Sequence, residues 1–144
     1  MRFPKRLSGR NRRMRPRFRD DDNMSQSNRQ AINYDKRFFK SVANTPNGEV
    51  GGETLFHYRR QGDLVWGTYE GGGVVAGHLI ANVTADGALD MRYHHRSPSG
   101  VLMTGLCRSR FEILADGRYR LHEEWQWTSG DLSRGQSMVE EVGK

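Results

Sequence analysis

From Arg37 onward the chain runs in short stretches of alternating apolar and polar residues, broken at regular intervals by glycine. Eight runs stand out: Arg37 to Asn44, Thr54 to Gln61, Leu64 to Glu70, Val74 to Val83, Ala88 to Arg96, Val101 to Leu114, Arg118 to Trp127 and Gln136 to Val142. Between them lie Asn47-Gly48, Gly62-Asp63, Gly71-Gly72-Gly73, Asp86-Gly87, Ser99-Gly100, Asp116-Gly117 and Gly130-Asp131. Glycine at these points supplies the positive φ that tight hairpins need. Turns recurring at roughly ten-residue spacing between β-branched and aromatic runs predict an all-β fold. The one stretch open to a short helix is Gln26 to Phe38. Eight hairpin-linked strands in sequence order predict an antiparallel up-and-down barrel, because closure removes the unpaired sheet edges.

Alternation also assigns faces, since residues two apart in a strand point the same way. In the seventh run Leu121, Glu123, Trp125 and Trp127 share one face, and His122, Glu124 and Gln126 the other. Burying an indole is worth a few kcal/mol of transfer free energy, so the tryptophan face is expected inside. Leu89, Met91 and Tyr93 follow the same phase in the fifth run, as do Met103, Gly105, Cys107 and Phe111 in the sixth. This phase carries Glu123 into an aromatic interior. A buried carboxylate needs donors, a cation or a retained proton. Tyr69, Tyr93, His78 and His95 are the candidate partners, the choice depending on register. Glu123 then reads either as a ligand anchor or as a core acid that fixes the barrel's register. Arg92, His94 and Glu124 form a second candidate group on the opposite face. Outside, they would be a charge ladder; with the facing inverted, they would line a polar cavity.

Charge changes the picture only at the beginning of the chain. The net charge is +6, and Met1 to Asn23 carries nine basic residues against Asp20, Asp21 and Asp22. Such a stretch has too little apolar surface to offset its ordering entropy, so residues 1–33 are expected to be a disordered basic tail. The tail admits two readings: an arginine-rich arm for RNA or DNA, or a passive segment upstream of a natural start at Met24. Nucleic acid is expected only through this tail. No apolar run suits a signal sequence or a membrane-spanning helix, and the single Cys107 fits a reducing, cytoplasmic setting. Residues 34–144 are expected to form the one barrel domain.

Sharper chemical motifs are absent. Gly71 to Ala76 ("GGGVVA") matches the string of a dinucleotide loop, but a strand rather than a helix follows it, which makes it a hairpin. His94 and His95 are neighbours on a strand and point to opposite faces. The five histidines include no HxH or HExxH pair, so no metal and no cofactor are expected. Cys107 sits mid-strand on the apolar face and reads as a small core residue. Thr128 to Gly135 ("TSGDLSRG") reads as the loop between the last two strands.

Four segments resemble a group of small bacterial β-barrel proteins labelled N-acetylglutamate synthase: "GHLI" at Gly77 to Ile80, "DMRYHH" at Asp90 to His95, "LMTGLCRS" at Leu102 to Ser109 and "EEWQWTSGD" at Glu123 to Asp131. The resemblance covers about Tyr34 to Val142. It implies acetyl transfer from acetyl-CoA to glutamate, but carries over no catalytic residue; an enzyme working in the barrel's cavity would use Glu123 or His94 as base. The string nearest a CoA-binding loop is Arg59 to Leu64 ("RRQGDL"), which lies at an expected hairpin. Three functions follow as expectations. The first is a lipocalin-like or fatty-acid-binding-protein-like (calycin-like) barrel holding a small molecule between Trp125, Trp127, Tyr93 and Met91, anchored by Glu123. The second is that acetyl transfer in the same cavity. The third is RNA binding through the tail.

Overall fold

The computed structural model describes residues 32–143, which form a closed barrel of eight antiparallel strands in sequence order. The strands are β1 (Arg37–Asn44), β2 (Leu55–Gln61), β3 (Leu64–Gly71), β4 (Val74–Val83), β5 (Leu89–Arg96), β6 (Leu102–Ile113), β7 (Tyr119–Trp127) and β8 (Arg134–Glu141). These match the alternating runs of the sequence to within two residues at each boundary. The barrel closes where β1 pairs with β8, from Phe39 opposite Glu141 to Asn44 opposite Ser137, across a bulge between Ser41 and Ala43. Among the described residues no helix is long and apolar enough to cross a membrane.

The short helix expected over Gln26 to Phe38 does not form where the chain is described. Asp35 and Lys36 make a turn, and β1 begins at Arg37. The local pattern was ambiguous, but Phe39 and Ser41 must both point into the barrel, which requires the two-residue period of a strand. The basic segment, the readings attached to it and the proposed start at Met24 lie outside the described residues.

The "GGGVVA" stretch is the β3–β4 hairpin, with Gly71 at φ 116° and Gly72 at φ 62°, a conformation that suits glycine. The "RRQGDL" string likewise ends β2 and turns into β3. No helix N-terminus stands behind it.

The two ends of the barrel differ. At one end Ile32 and Tyr34 are buried, and the Tyr34 hydroxyl donates to the Gly87 carbonyl at 2.6 Å. Tyr119 meets Tyr34 edge-on, and Arg37 lies over the Tyr119 ring at 3.9 Å while binding both oxygens of Glu141. The chain plugs this end with its own aromatic side chains. The opposite end is covered by the β1–β2 loop, residues 45–54.

Inside, large rings and glycines face each other across neighbouring strands. Tyr69 is opposite Gly77, Tyr93 opposite Gly105, and Trp125 opposite Gly135. A methyl group added to Gly77, Gly105 or Gly135 would come within 2.6, 2.2 and 2.2 Å of the respective ring. Each ring therefore lies down over its partner strand because that strand has no side chain there. We expect Gly105→Ala to destabilise the barrel by about 1–3 kcal/mol through overpacking against Tyr93. Gly51→Ala, with nothing within 4 Å of the new methyl, should change stability by less than about 0.5 kcal/mol in the same denaturant titration.

Candidate functional site

Between the plugged end and the β1–β2 loop the barrel keeps a cavity. Its walls are aromatic and apolar: Phe56, Tyr69, Met91, Tyr93, Trp125 and Trp127. The rings are arranged edge to face, Trp127 against Tyr93 at 5.9 Å and against Trp125 at 5.4 Å. The space open to the centre of a water molecule is about 50 Å³. One water needs roughly 10–15 Å³ on that measure, so the cavity has room for a few waters or a small molecular fragment.

Glu123 is the polar feature of this lining. It sits between two inward serines, Ser109 on β6 and Ser137 on β8, each directly opposite it in register. The Ser137 hydroxyl donates to Glu123 Oε1 at 2.8 Å, whereas Ser109 Oγ is buried without a partner among the described residues. Burial pushes the Glu123 carboxyl up to about 7, against a smaller downward pull from the Ser137 hydrogen bond. At neutral pH the group is therefore divided between its acid and carboxylate forms. The same burial raises the Tyr58 phenol and the Cys107 thiol well above their ordinary values, so both are neutral there. Cys107 is the inert core residue its position suggested.

Two of the partners proposed for Glu123, Tyr69 and His95, pair with each other instead. His95 is buried, with Nδ1 2.9 Å from the Tyr69 hydroxyl and Nε2 2.8 Å from Glu49 Oε1. A carboxylate only accepts, so Nε2 carries the hydrogen, and in the neutral ring Nδ1 accepts from Tyr69. Glu49 belongs to the β1–β2 loop, and this chain of bonds fastens the loop over the cavity. Other ties act with it. Trp127 Nε1 donates to the Asn47 carbonyl at 3.1 Å, and Asn47 Nδ2 donates to the Arg134 carbonyl at 2.8 Å. Asn44 Nδ2 donates to the Val50 carbonyl at 2.9 Å, leaving Asn44 Oδ1 buried and unpaired beside the cavity.

Of the residues singled out from sequence, Glu123, Trp125, Trp127, Tyr93 and Met91 come together in this lining. His78, Arg92, His94 and Glu124 do not, which corrects their placement as site residues. All four are exposed on the outer face, because each is out of phase with the inward residues of its strand. Nor do Arg92, His94 and Glu124 share one row across the sheet. Arg92 is opposite Leu106 and bonds Asp90 at 2.8 Å, His94 is opposite Thr104 and lies 5.6 Å from the His78 ring, and Glu124 is opposite Arg108. Sequence reading missed Ser137, Asn44 and Glu49. Ser137 was within reach of the alternation argument once β8 was aligned with β7; the two loop-end residues had no such signal.

The buried acid makes a pH prediction. An acid whose folded pKa lies above its unfolded value of about 4.5 binds more protons when folded, so its contribution to stability is lost as pH rises from about 4.5 to about 7. Glu123→Gln removes that loss. The variant should gain on the parent by up to roughly 3 kcal/mol between pH 5 and pH 8, measured as the difference between paired urea titrations. A constant difference across that range would mean the carboxyl is not held protonated by burial.

Comparison with known proteins bears on the same barrel. No curated protein matches the chain. Neither the geometry nor the family match described next supports the acetyl transfer implied by the N-acetylglutamate synthase resemblance, or RNA binding. Residues 32–142, which take in all eight strands and every cavity residue named above, match the family described as avidin-like protein. The chain belongs to the avidin-like protein family.

Proposed function

We propose that this barrel is a binding protein for a small molecule held in its interior, behind the β1–β2 loop. The observation that carries the reading is the aromatic cavity with a carboxyl at its wall and, beside it, a buried acceptor, Asn44 Oδ1, that is unpaired among the described residues. A side-chain-filled barrel would satisfy its own polar atoms; buried polar groups left without partners are uncommon in native structures. Ligand sites are typically apolar cavities with a few placed polar groups, and this lining has that composition. Membership in the avidin-like family supports a ligand-holding rather than a catalytic role. Acetyl transfer finds no nucleotide-cradling loop here.

The interior space of about 50 Å³ suits a fragment, and a larger ligand would extend to the β1–β2 loop or displace it. Beyond the Thr45 N–H bond to the Gln136 carbonyl at its base, the loop is attached through side-chain hydrogen bonds, which exchange readily for bonds to water or ligand.

The three tryptophans make a direct test. Trp125 and Trp127 line the cavity, while Trp66 lies on β3 outside it and serves as an internal control. In a titration with a panel of small cationic, neutral and anionic fragments, at least one should shift the indole N–H signals of Trp125 and Trp127 in ¹H–¹⁵N spectra, saturably, and leave that of Trp66 in place. Shifts confined to Trp66, or no shift with any compound, would overturn the reading.

A further inference from the structure

We propose that the ligand this cavity selects is a small organic cation, a primary or secondary ammonium on a short apolar chain. The inference rests on the interior-binding reading and names its ligand class. Three observations point the same way.

The first is charge. Two carboxyl groups line the cavity, Glu49 from the loop and Glu123 from the wall, and among the described residues no lysine or arginine does. An anion would meet uncompensated like charge in a poorly solvated space; a cation would meet a partner. His95 is already engaged at both ring nitrogens.

The second is the hydrogen-bond inventory. Asn44 Oδ1 is a buried acceptor with no donor, its orientation set by the bond from Nδ2 to the Val50 carbonyl. Glu123 receives one hydrogen bond, from Ser137. What Asn44 Oδ1 lacks is a donor: the N–H groups of Asn44, His95 and Trp127 in the lining are already bonded to Val50, Glu49 and Asn47, and an ammonium group brings two or three with no acceptor of its own.

The third is the wall. Trp125, Trp127, Tyr69 and Tyr93 surround the space, and the faces of such rings attract cations, indole most strongly. The volume suits a headgroup with a few carbons.

A bound ammonium competes with the proton on Glu123. The ionisable groups around that carboxyl are Tyr58 on β2, Tyr69 on β3, Tyr93 on β5, Cys107 on β6 and, at the mouth, Glu49 and His95. Burial holds the three phenols and the thiol neutral near pH 7. Amine affinity should therefore rise about tenfold per pH unit below about 7 and level off above it.

The experiment compares n-butylamine, butyramide and butyrate, which are close in size but cationic, neutral and anionic, by the Trp125 and Trp127 indole shifts at pH 7.5. The amine is expected to bind at least tenfold more tightly than the amide, and butyrate not to bind. In Glu123→Gln, checked for an unchanged fold by circular dichroism and retained amide binding, the amine should fall to the amide's level and its pH dependence should vanish. Amide or butyrate binding as tight as the amine, or an amine affinity untouched by Glu123→Gln, would overturn the cation assignment while leaving the interior site standing. Silence from all three, together with the wider panel, would remove the site itself and the assignment with it.

Discussion

Closure of this barrel depends on large rings lying across glycines on the adjacent strand. An interior of eight strands is wide enough to be filled by side chains or to hold one small ligand, and packing decides between the two. Here Tyr69, Tyr93 and Trp125 each lean over a neighbour that has no side chain, at Gly77, Gly105 and Gly135. The rings coat the wall instead of crossing the lumen. The device recurs in three hairpins, β3–β4, β5–β6 and β7–β8, and it leaves room near the loop-covered end.

That arrangement sets the terms for Glu123. Among rings laid against the wall, the carboxyl has little to meet besides the Ser137 hydroxyl, and burial holds much of its population protonated at neutral pH. A carboxyl kept in this state weakens the fold as pH rises. Perturbed acids in cavities are candidates for function. The geometry adds what an isolated pKa cannot: an acceptor at Asn44 Oδ1 that is unpaired among the described residues, an aromatic wall and a loop fastened by hydrogen bonds through His95 and Trp127. At the plugged end Tyr34, Tyr119, Arg37 and Glu141 interlock through ring contacts and hydrogen bonds.

The outer face shows how strictly phase separates roles. His94 and His95 are adjacent in sequence, yet His95 is buried in the cavity wall while His94 stands outside beside His78. Glu123 and Glu124 divide in the same way. The polar residues that looked like a second site are ordinary members of a solvated sheet surface, with Arg92 on Asp90 and Arg108 opposite Glu124. Exposed pairs of this kind contribute little.

The architecture was legible because it rests on local chemistry. Glycine-bearing turns fix where strands end, period two fixes which residues face inward, and the preference of indole for an apolar interior fixes the sign of that facing. Glu123, Trp125, Trp127, Tyr93 and Met91 followed from these rules alone. The short helix near the beginning does not form over the described residues 32–38, because the pattern over Asp35 to Phe38 is too short to show a period and the burial of Phe39 in the barrel decided it. Pairing was not legible either. That His95 meets Tyr69 and Glu49 rather than Glu123, and that Asn44 and Ser137 reach the cavity, depends on strand tilt, the bulge in β1 and the path of a loop. Each is set by closure of the whole sheet. Faces are a property of single strands and can be read along the chain; neighbours across a barrel are a property of all eight strands together, and only the tertiary structure decides them.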